Sequence, residues 1–147
     1  MRKAPKIYVL DTGLAVHLLG FRTMEDCLLS PYAGNIWETF VLNQIVRCFA
    51  SRGLKAPLFY WRGSAEVDMI LDLGGDMLAA IECKLTERPD SGDARGLTVF
   101  AAVCAKEKLS LRDSLVVCRT ASRHSLSKTV SAVSVSDIVE GILRDMT

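Results

Sequence analysis

The chain has 147 residues, half of them apolar, and a formal net charge of +1. This is the size of one globular domain, and the charge balance excludes a strongly basic protein that binds nucleic acid over its whole surface. No apolar run reaches the roughly 20 residues of a membrane helix, and no signal-peptide pattern follows the basic N-terminus. We therefore expect a cytoplasmic protein without a membrane partner. Its surplus of apolar residues is compatible with a surface that a partner covers, for example in a homo-oligomer.

The cysteines argue against a structural zinc site. They are odd in number, lie in apolar runs and form no C-x-x-C pair, which is typical of reduced thiols. The five are Cys27, Cys48, Cys83, Cys104 and Cys118. His17 and His124 could supply imidazole ligands, but neither has a Cys or His at ligand spacing. The sequence therefore predicts no zinc.

The predicted elements divide the chain into a lead-in and a main domain. Residues 1–31 form the lead-in, with a strand over 6–10 and a helix over 12–20. Residues 32–147 form one compact α/β domain, in which hydrophobic periodicity and turn signals define the elements. These are a helix over 36–50, strands near 58–62, 66–72 and 78–85, a helix over 95–106, strands over 114–119 and 129–135, and a helix over 136–145. This order predicts a mixed sheet flanked by helices.

Charged residues in the hairpin "EVDMILDLGGDMLAAIECKL" are the most informative feature of the sequence. Asp68 lies in the first arm, whereas Glu82 and Lys84 share one face of the second arm. A two-residue loop at Gly74-Gly75 would send the two carboxylates to opposite faces, whereas a three-residue loop or a bulge would oppose them directly. Opposed carboxylates repel each other, and a hard divalent cation between them explains such a pair.

Glu38 is a third candidate, because it falls on the apolar stripe of the first long helix rather than opposite it. One interpretation is a capping box with Asn35, in which Glu38 accepts a backbone N–H. The other is functional. It rests on the ordered set of a glutamate in a helix, an aspartate in a strand and a Glu-x-Lys in the next strand.

Basic residues outside the hairpin are weaker candidates for contacts with nucleic acid, and ordinary surface salt bridges are the alternative for each. They are Arg62, Arg95, Arg119, Arg123 and Lys128. The acid-free N-terminal stretch, which includes Lys6, could also contact phosphates or be a solvated surface.

Two resemblances follow from these motifs. Glu38, then Asp68 in "EVDMIL", then "IECK" resemble the core of the PD-(D/E)XK nuclease superfamily, a restriction-endonuclease-like fold with the order α-β-β-β-α-β. Together with "PKIYVLDTGLAVHLLG", "GNIWETFVLNQI" and "LFYWR", they are similar to the uncharacterised C-terminal domain of a large prokaryotic AAA-type ATPase family. This similarity covers most of the chain and implies an ATPase domain as a partner. The chain itself has no G-x-x-x-x-G-K-[ST] sequence, so we expect no nucleotide site in it.

The resemblance implies a metal-dependent phosphodiesterase or endonuclease that acts on nucleic acid, with DNA as the expected substrate. Asp68, Glu82 and the backbone carbonyl of Cys83 would bind Mg²⁺ or Mn²⁺, and Glu38 would be a further ligand or would position water. Lys84 would orient the attacking water, stabilise the developing charge, or deprotonate the water if desolvation lowered its pKa. The sequence departs from the superfamily pattern at Glu66, where the Pro-Asp that names the superfamily is absent.

Two other functions remain open from the sequence. Nuclease-like domains can also serve as catalytically inactive modules that bind DNA or dock proteins. In addition, Asp11-Thr12-Gly13 resembles the Asp-Thr-Gly of dimeric aspartic proteases, although we expect Asp11 or Thr12 to cap a helix instead.

Overall fold

A computed structural model of the chain describes residues 6–144, with side chains as far as Gly141. The helices are α1 (Thr12–Leu18), α2 (Met24–Leu29), α3 (Ala33–Ala50), α4 (Arg95–Glu107) and α5 (Val135–Arg144). The strands are β1 (Leu58–Arg62), β2 (Glu66–Gly74), β3 (Met77–Cys83), β4 (Ser110–Val117), β5 (His124–Ser125) and β6 (Ser131–Val133). Within residues 6–144, no helix is both long and apolar enough to cross a membrane.

The strands form one mixed sheet in the order β1-β2-β3-β4-β6-β5. The first three strands are antiparallel neighbours, β4 runs parallel to β3, and β6 runs parallel to β4. The parallel pair β3–β4 is joined by α4, as a parallel connection requires a crossover. The predicted class, an α/β fold with a mixed sheet flanked by helices, is confirmed.

The two faces of the sheet are covered by different helices. On one face, α3 and α5 pack through Val41, Ile45, Phe49 and Ile138 against a buried set of strand residues. On the other face, α4 packs through Leu97, Phe100 and Cys104 against a second buried set. The sheet thus has a near-continuous apolar centre, and its charged residues lie towards its two ends.

The hairpin turn sets the register between β2 and β3. β2 and β3 pair Met69 with Ile81 and Ile70 with Ala80, and a bulge near the turn shifts the register by one residue. Pairing ends at Met69 and Ile81, and the same register continued by one step would set Asp68 across from Glu82. The bulge is therefore confirmed as the alternative to a simple two-residue loop at Gly74-Gly75.

Several predicted elements differ from the structure. The predicted strand over residues 6–10 is wrong, because this segment lies against α3 and joins neither edge of the sheet. Helix α3 begins at Ala33, three residues before the predicted start at residue 36. The short elements α2 and β5 carry too few residues to show a periodicity, and the sequence did not predict them.

Gly96 in α4 provides a test of how closely this helix approaches the sheet. A Cβ added at Gly96 would clash with the backbone carbonyl oxygen of Glu66 and lie 3.6 Å from Oε2 of Glu82. Gly96→Ala should therefore lower the free energy of unfolding by about 1–3 kcal/mol in urea denaturation, as overpacking does.

Gly34→Ala is the matched control, because a Cβ there meets no atom within 4 Å. This change in α3 should be neutral or stabilise by up to about 1 kcal/mol. Equal effects of the two substitutions would contradict the close approach of α4 to β2.

Candidate acidic site at the end of strands β2 and β3

A bulge in β2 positions Asp68. Four residues of β2, from Val67 to Ile70, span the same length of sheet as the three residues from Trp61 to Phe59 on β1. Val67 and Met69 consequently face different apolar clusters, although residues two apart in a regular strand share a face. Such bulges redirect side chains, and this one turns Asp68 towards α3.

The Asp68 carboxylate fills the fork where β2 and β3 stop pairing. Its Oδ2 accepts a hydrogen bond from the backbone N–H of Cys83 at 2.9 Å. That N–H lies beyond the last paired residues of the two strands, Met69 and Ile81. Asp68 therefore has a structural role, as an acceptor for a backbone donor, in addition to any role in chemistry.

A lysine from the N-terminal segment joins Asp68 to Glu38 of α3. The Lys6 ammonium donates to Oε1 of Glu38 at 2.9 Å and to Oδ1 of Asp68 at 3.0 Å. Burial opposes its ionisation, but the hydrogen bonds to both carboxylates and their charges outweigh burial and raise the pKa of Lys6 above its usual value. A cation thus lies between two of the predicted metal ligands, and it belongs to the chain itself.

Further side chains hold this N-terminal segment against α3. The Tyr8 hydroxyl donates to Oε1 of Glu38, and burial together with this bond raises the pKa of Tyr8. The buried Asn43 donates from Nδ2 to the Val9 carbonyl at 3.3 Å and to the Thr12 hydroxyl at 3.0 Å. The segment is therefore attached through the polar side chains of Glu38 and Asn43.

The capping-box interpretation of Glu38 is wrong. Asn35 lies inside α3, whose N-cap is Tyr32 with no side-chain cap bond, so Asn35 and Glu38 do not frame the start of the helix. The carboxylate of Glu38 instead binds Lys6 and Tyr8, more than twenty residues away in sequence. Pairing over such a distance cannot be inferred from local spacing.

Glu82 and Lys84 form the second half of the site. Lys84 Nζ lies 3.2 Å from Oε1 of Glu82 and 3.9 Å from Oδ1 of Asp93, which confirms that Glu82 and Lys84 share a face. Oε2 of Glu82 is buried and has no hydrogen-bond partner in the part of the chain that the structure describes. Burial raises the pKa of Glu82 to about 7, and the charge of Asp68 adds to this rise.

Of the three roles considered for Lys84, deprotonation of the water is not supported, because it requires a lowered pKa. Burial of the ammonium would lower the pKa, but the charge and hydrogen bond of Glu82, with Asp93 beside it, raise the pKa instead. Lys84 is therefore fully protonated near neutral pH, which suits it to bind an anion rather than to remove a proton from water.

Cys83 lies among the carboxylates but is not an activated thiol. Burial and the neighbouring charges of Asp68, Glu38 and Glu82 hold the pKa of its thiol well above the usual range. A neutral thiol is a weak nucleophile and a poor metal ligand, so this environment does not favour a chemical role for the side chain of Cys83.

The candidate ligands are not arranged around one ion. Across residues 6–144, no three His, Cys, Asp or Glu side chains are placed to hold a metal. Asp68 is turned towards α3 and bound to Lys6, whereas Glu82 is bound to Lys84 and lies near Gly96 of α4. The acids share an electrostatic environment, and internal lysines balance their charge.

Three of the five basic residues predicted as contacts for nucleic acid lie near this end of the sheet. Arg62 pairs with Glu66, and Arg119 donates to Oε1 of Glu87 at 2.7 Å, so salt bridges account for both. Arg95 is an exposed residue in the first turn of α4.

The two remaining candidates lie elsewhere. Arg123 lines a separate cavity with Asp113 and Asp137, and Lys128 is exposed in the loop between β5 and β6. Neither lines the acidic site.

Asp11 and the apolar face of the lead-in lie apart from the acids. Oδ1 of Asp11 accepts a hydrogen bond from the N–H of Leu14 at 2.9 Å, so Asp11 is the N-cap of α1, as predicted.

A cavity of about 430 Å³ lies between α1, α2 and α3. Its lining is mostly apolar and includes Val16, Cys27, Trp37, Phe40 and Leu85.

Comparisons with known proteins identify the family of the chain. Residues 33–138 match the family described as "Domain of unknown function (DUF4143)", and the chain belongs to this family. It is 35% identical over 141 residues to the uncharacterized proteins Rv2008c of Mycobacterium tuberculosis and Mb2031c of Mycobacterium bovis. The match covers 94% of this chain but 29% of each relative, so the chain spans less than a third of their length. No solved structure matches.

Proposed function

We propose that the domain is a metal-dependent nuclease-like hydrolase of the PD-(D/E)XK type. It would cleave phosphodiester bonds of nucleic acid, with DNA as the expected substrate, in the cytoplasm and attached to an AAA-type ATPase. The observation that carries the proposal is that three carboxylates and a lysine lie at one end of β2 and β3. Lys6 links Asp68 to Glu38 of α3, and Lys84 pairs with Glu82.

The donor atoms suit a hard divalent cation in their chemistry, although they are not gathered around one point. Carboxylate and carbonyl oxygens are the ligands of Mg²⁺ and Mn²⁺, and Oε2 of Glu82 is buried without a partner among the described residues. Asp68, Glu82 and the backbone carbonyl of Cys83 would hold the metal. When bound, it would supply a water of lowered pKa and neutralise charge on the phosphate.

The protonation of Lys84 assigns it a role within the proposal. Its ammonium is 3.2 Å from Glu82 and its pKa is raised, so it would hold a phosphate oxygen or orient the attacking water. Glu38, once free of Lys6, would position the same water or provide a further ligand.

Plasmid nicking in millimolar Mn²⁺ tests the proposal. Wild type should nick slowly, and Glu82→Ala and Lys84→Ala should each reduce the rate by about a hundredfold or more, the loss seen when charge-stabilising groups are removed. Asp72→Ala is the matched control, because Asp72 lies at the exposed, turn-proximal end of β2 and should leave the rate unchanged. Nicking that survives Glu82→Ala would show a contaminating nuclease and contradict the proposal.

A specific observation favours a second candidate, an inactive docking module. Lys6 already lies between Glu38 and Asp68, and the cavity beside α1 and α2 is apolar. On this alternative, the acids would stabilise the fold through their lysines, and the domain would neither bind Mn²⁺ nor nick DNA in any variant.

A further inference from the structure

The N-terminal strap, defined as residues 6–11, places its only lysine in the acidic site. Lys6 Nζ contacts Oε1 of Glu38 at 2.9 Å and Oδ1 of Asp68 at 3.0 Å. A divalent cation shared by these two carboxylates would lie in the space that the ammonium occupies. The ammonium and the metal therefore exclude each other, both by position and because two adjacent cations repel.

The strap is held by few contacts. Ile7 is 88% exposed and Leu10 is 65% exposed, so the segment buries little apolar surface. It joins no strand of the sheet, and side chains of α3 bind it through Lys6, Tyr8 and the Val9 carbonyl. Segments that rest on a few polar contacts open locally at a much lower cost than global unfolding.

We propose that Lys6 and a divalent cation are alternative occupants of the Glu38–Asp68 pair, so that withdrawal of the strap opens the site to metal. This inference rests on the proposed function, since it describes how the same site would be switched. It also accounts for the arrangement of the acids, which are balanced by lysines rather than gathered around one point. Whatever pulls the strap away would activate the site.

Mn²⁺ titration, followed by the electron paramagnetic resonance signal of free Mn²⁺, measures the competition directly. If the strap is bound in most molecules, the apparent Mn²⁺ affinity of wild type is the intrinsic affinity multiplied by the small fraction of molecules in which the strap is withdrawn. Lys6→Met keeps the length of the side chain but removes its charge. We expect this variant to bind Mn²⁺ about tenfold more tightly than wild type or better.

Three further variants locate the effect. Lys55→Met removes an exposed lysine outside the site and should leave the Mn²⁺ affinity unchanged. Adding Asp68→Asn to Lys6→Met should abolish the gain, because it removes a proposed ligand. Tyr8→Phe loosens the hold on Glu38 without changing any charge and should give a smaller gain, which keeps the inference testable if Lys6→Met folds poorly.

The results separate this inference from the nuclease proposal. A gain in Mn²⁺ affinity without any nicking supports the competition and contradicts the nuclease. Nicking by wild type, with equal Mn²⁺ affinity in wild type, Lys6→Met and Tyr8→Phe, contradicts the competition and leaves the nuclease standing. Equal affinity in all variants and no nicking overturn both.

Discussion

Asp68→Ala should lower the free energy of unfolding by about 2–4 kcal/mol, because it removes a half-buried acceptor from two donors at once. The Cys83 N–H at the fork would lose its acceptor at 2.9 Å, and Lys6 would keep only Glu38. Urea denaturation at pH 6 is the measurement. Near this pH Glu82 is mostly protonated, since its pKa is about 7, so relief of repulsion between the two acids does not mask the loss.

Asp72→Ala is the control for this prediction. Asp72 belongs to the same strand and also accepts a backbone bond, from Gly74 at 2.8 Å, but it is exposed at the turn. Its loss should cost about 1 kcal/mol or less, as at other exposed sites. If Asp68→Ala costs no more than Asp72→Ala, the carboxylate at the fork contributes little to the fold.

This structural role matters for any test of catalysis. A variant that loses both a proposed metal ligand and an internal support cannot assign activity by itself. Glu82→Ala is the more informative variant, because Oε2 of Glu82 accepts no hydrogen bond in the described part of the chain. Its effect on nicking can therefore be attributed to the site with less ambiguity.

The elements that the sequence predicted well are those with a strong local pattern. The aromatic strand β1 and the helix α4 begin at the predicted residues Leu58 and Arg95. Alternation also placed Glu82 and Lys84 on one face, because the side-chain period of a strand is fixed. These properties depend on neighbours in the chain, which the sequence contains.

The missed features depend on contacts between distant segments. "KIYVL" has the composition of a strand, but the sheet ends at β1 and β5, and the segment is bound by Glu38 and Asn43 of α3. Likewise, two glycines at a turn allow more than one register, and the sequence could not decide between them. Lys6 belongs to a basic, acid-free stretch, but no residue near it in the sequence indicates that it has two carboxylate partners.

Glu82 should make the stability of the protein fall as pH rises from about 4.5 to 7. Its pKa is raised from 4.5 to about 7 in the folded protein, first by burial and then by the charge of Asp68. The folded state therefore holds the proton more tightly than the unfolded state. The associated stability is fully present below pH 4.5 and is lost as pH rises through 7. At about 1.4 kcal/mol per pKa unit, the loss amounts to as much as about 3 kcal/mol.

Glu82→Gln removes this titration. Its free energy of unfolding, relative to that of wild type, should therefore rise by about 2–3 kcal/mol between pH 4.5 and pH 8. Taking the difference across pH cancels the effects of the amide on packing, which do not change with pH. Glu87→Gln, at an exposed partner of Arg119, makes the same chemical change outside the site and is the comparison in the same urea series. A constant difference between Glu82→Gln and wild type across this pH range would mean that Glu82 titrates alike in the folded and unfolded chains. When wild type and Glu82→Gln both also carry Asp68→Asn, the pH-dependent difference between them should be smaller. The reason is that the charge of Asp68 is the second cause of the raised pKa of Glu82.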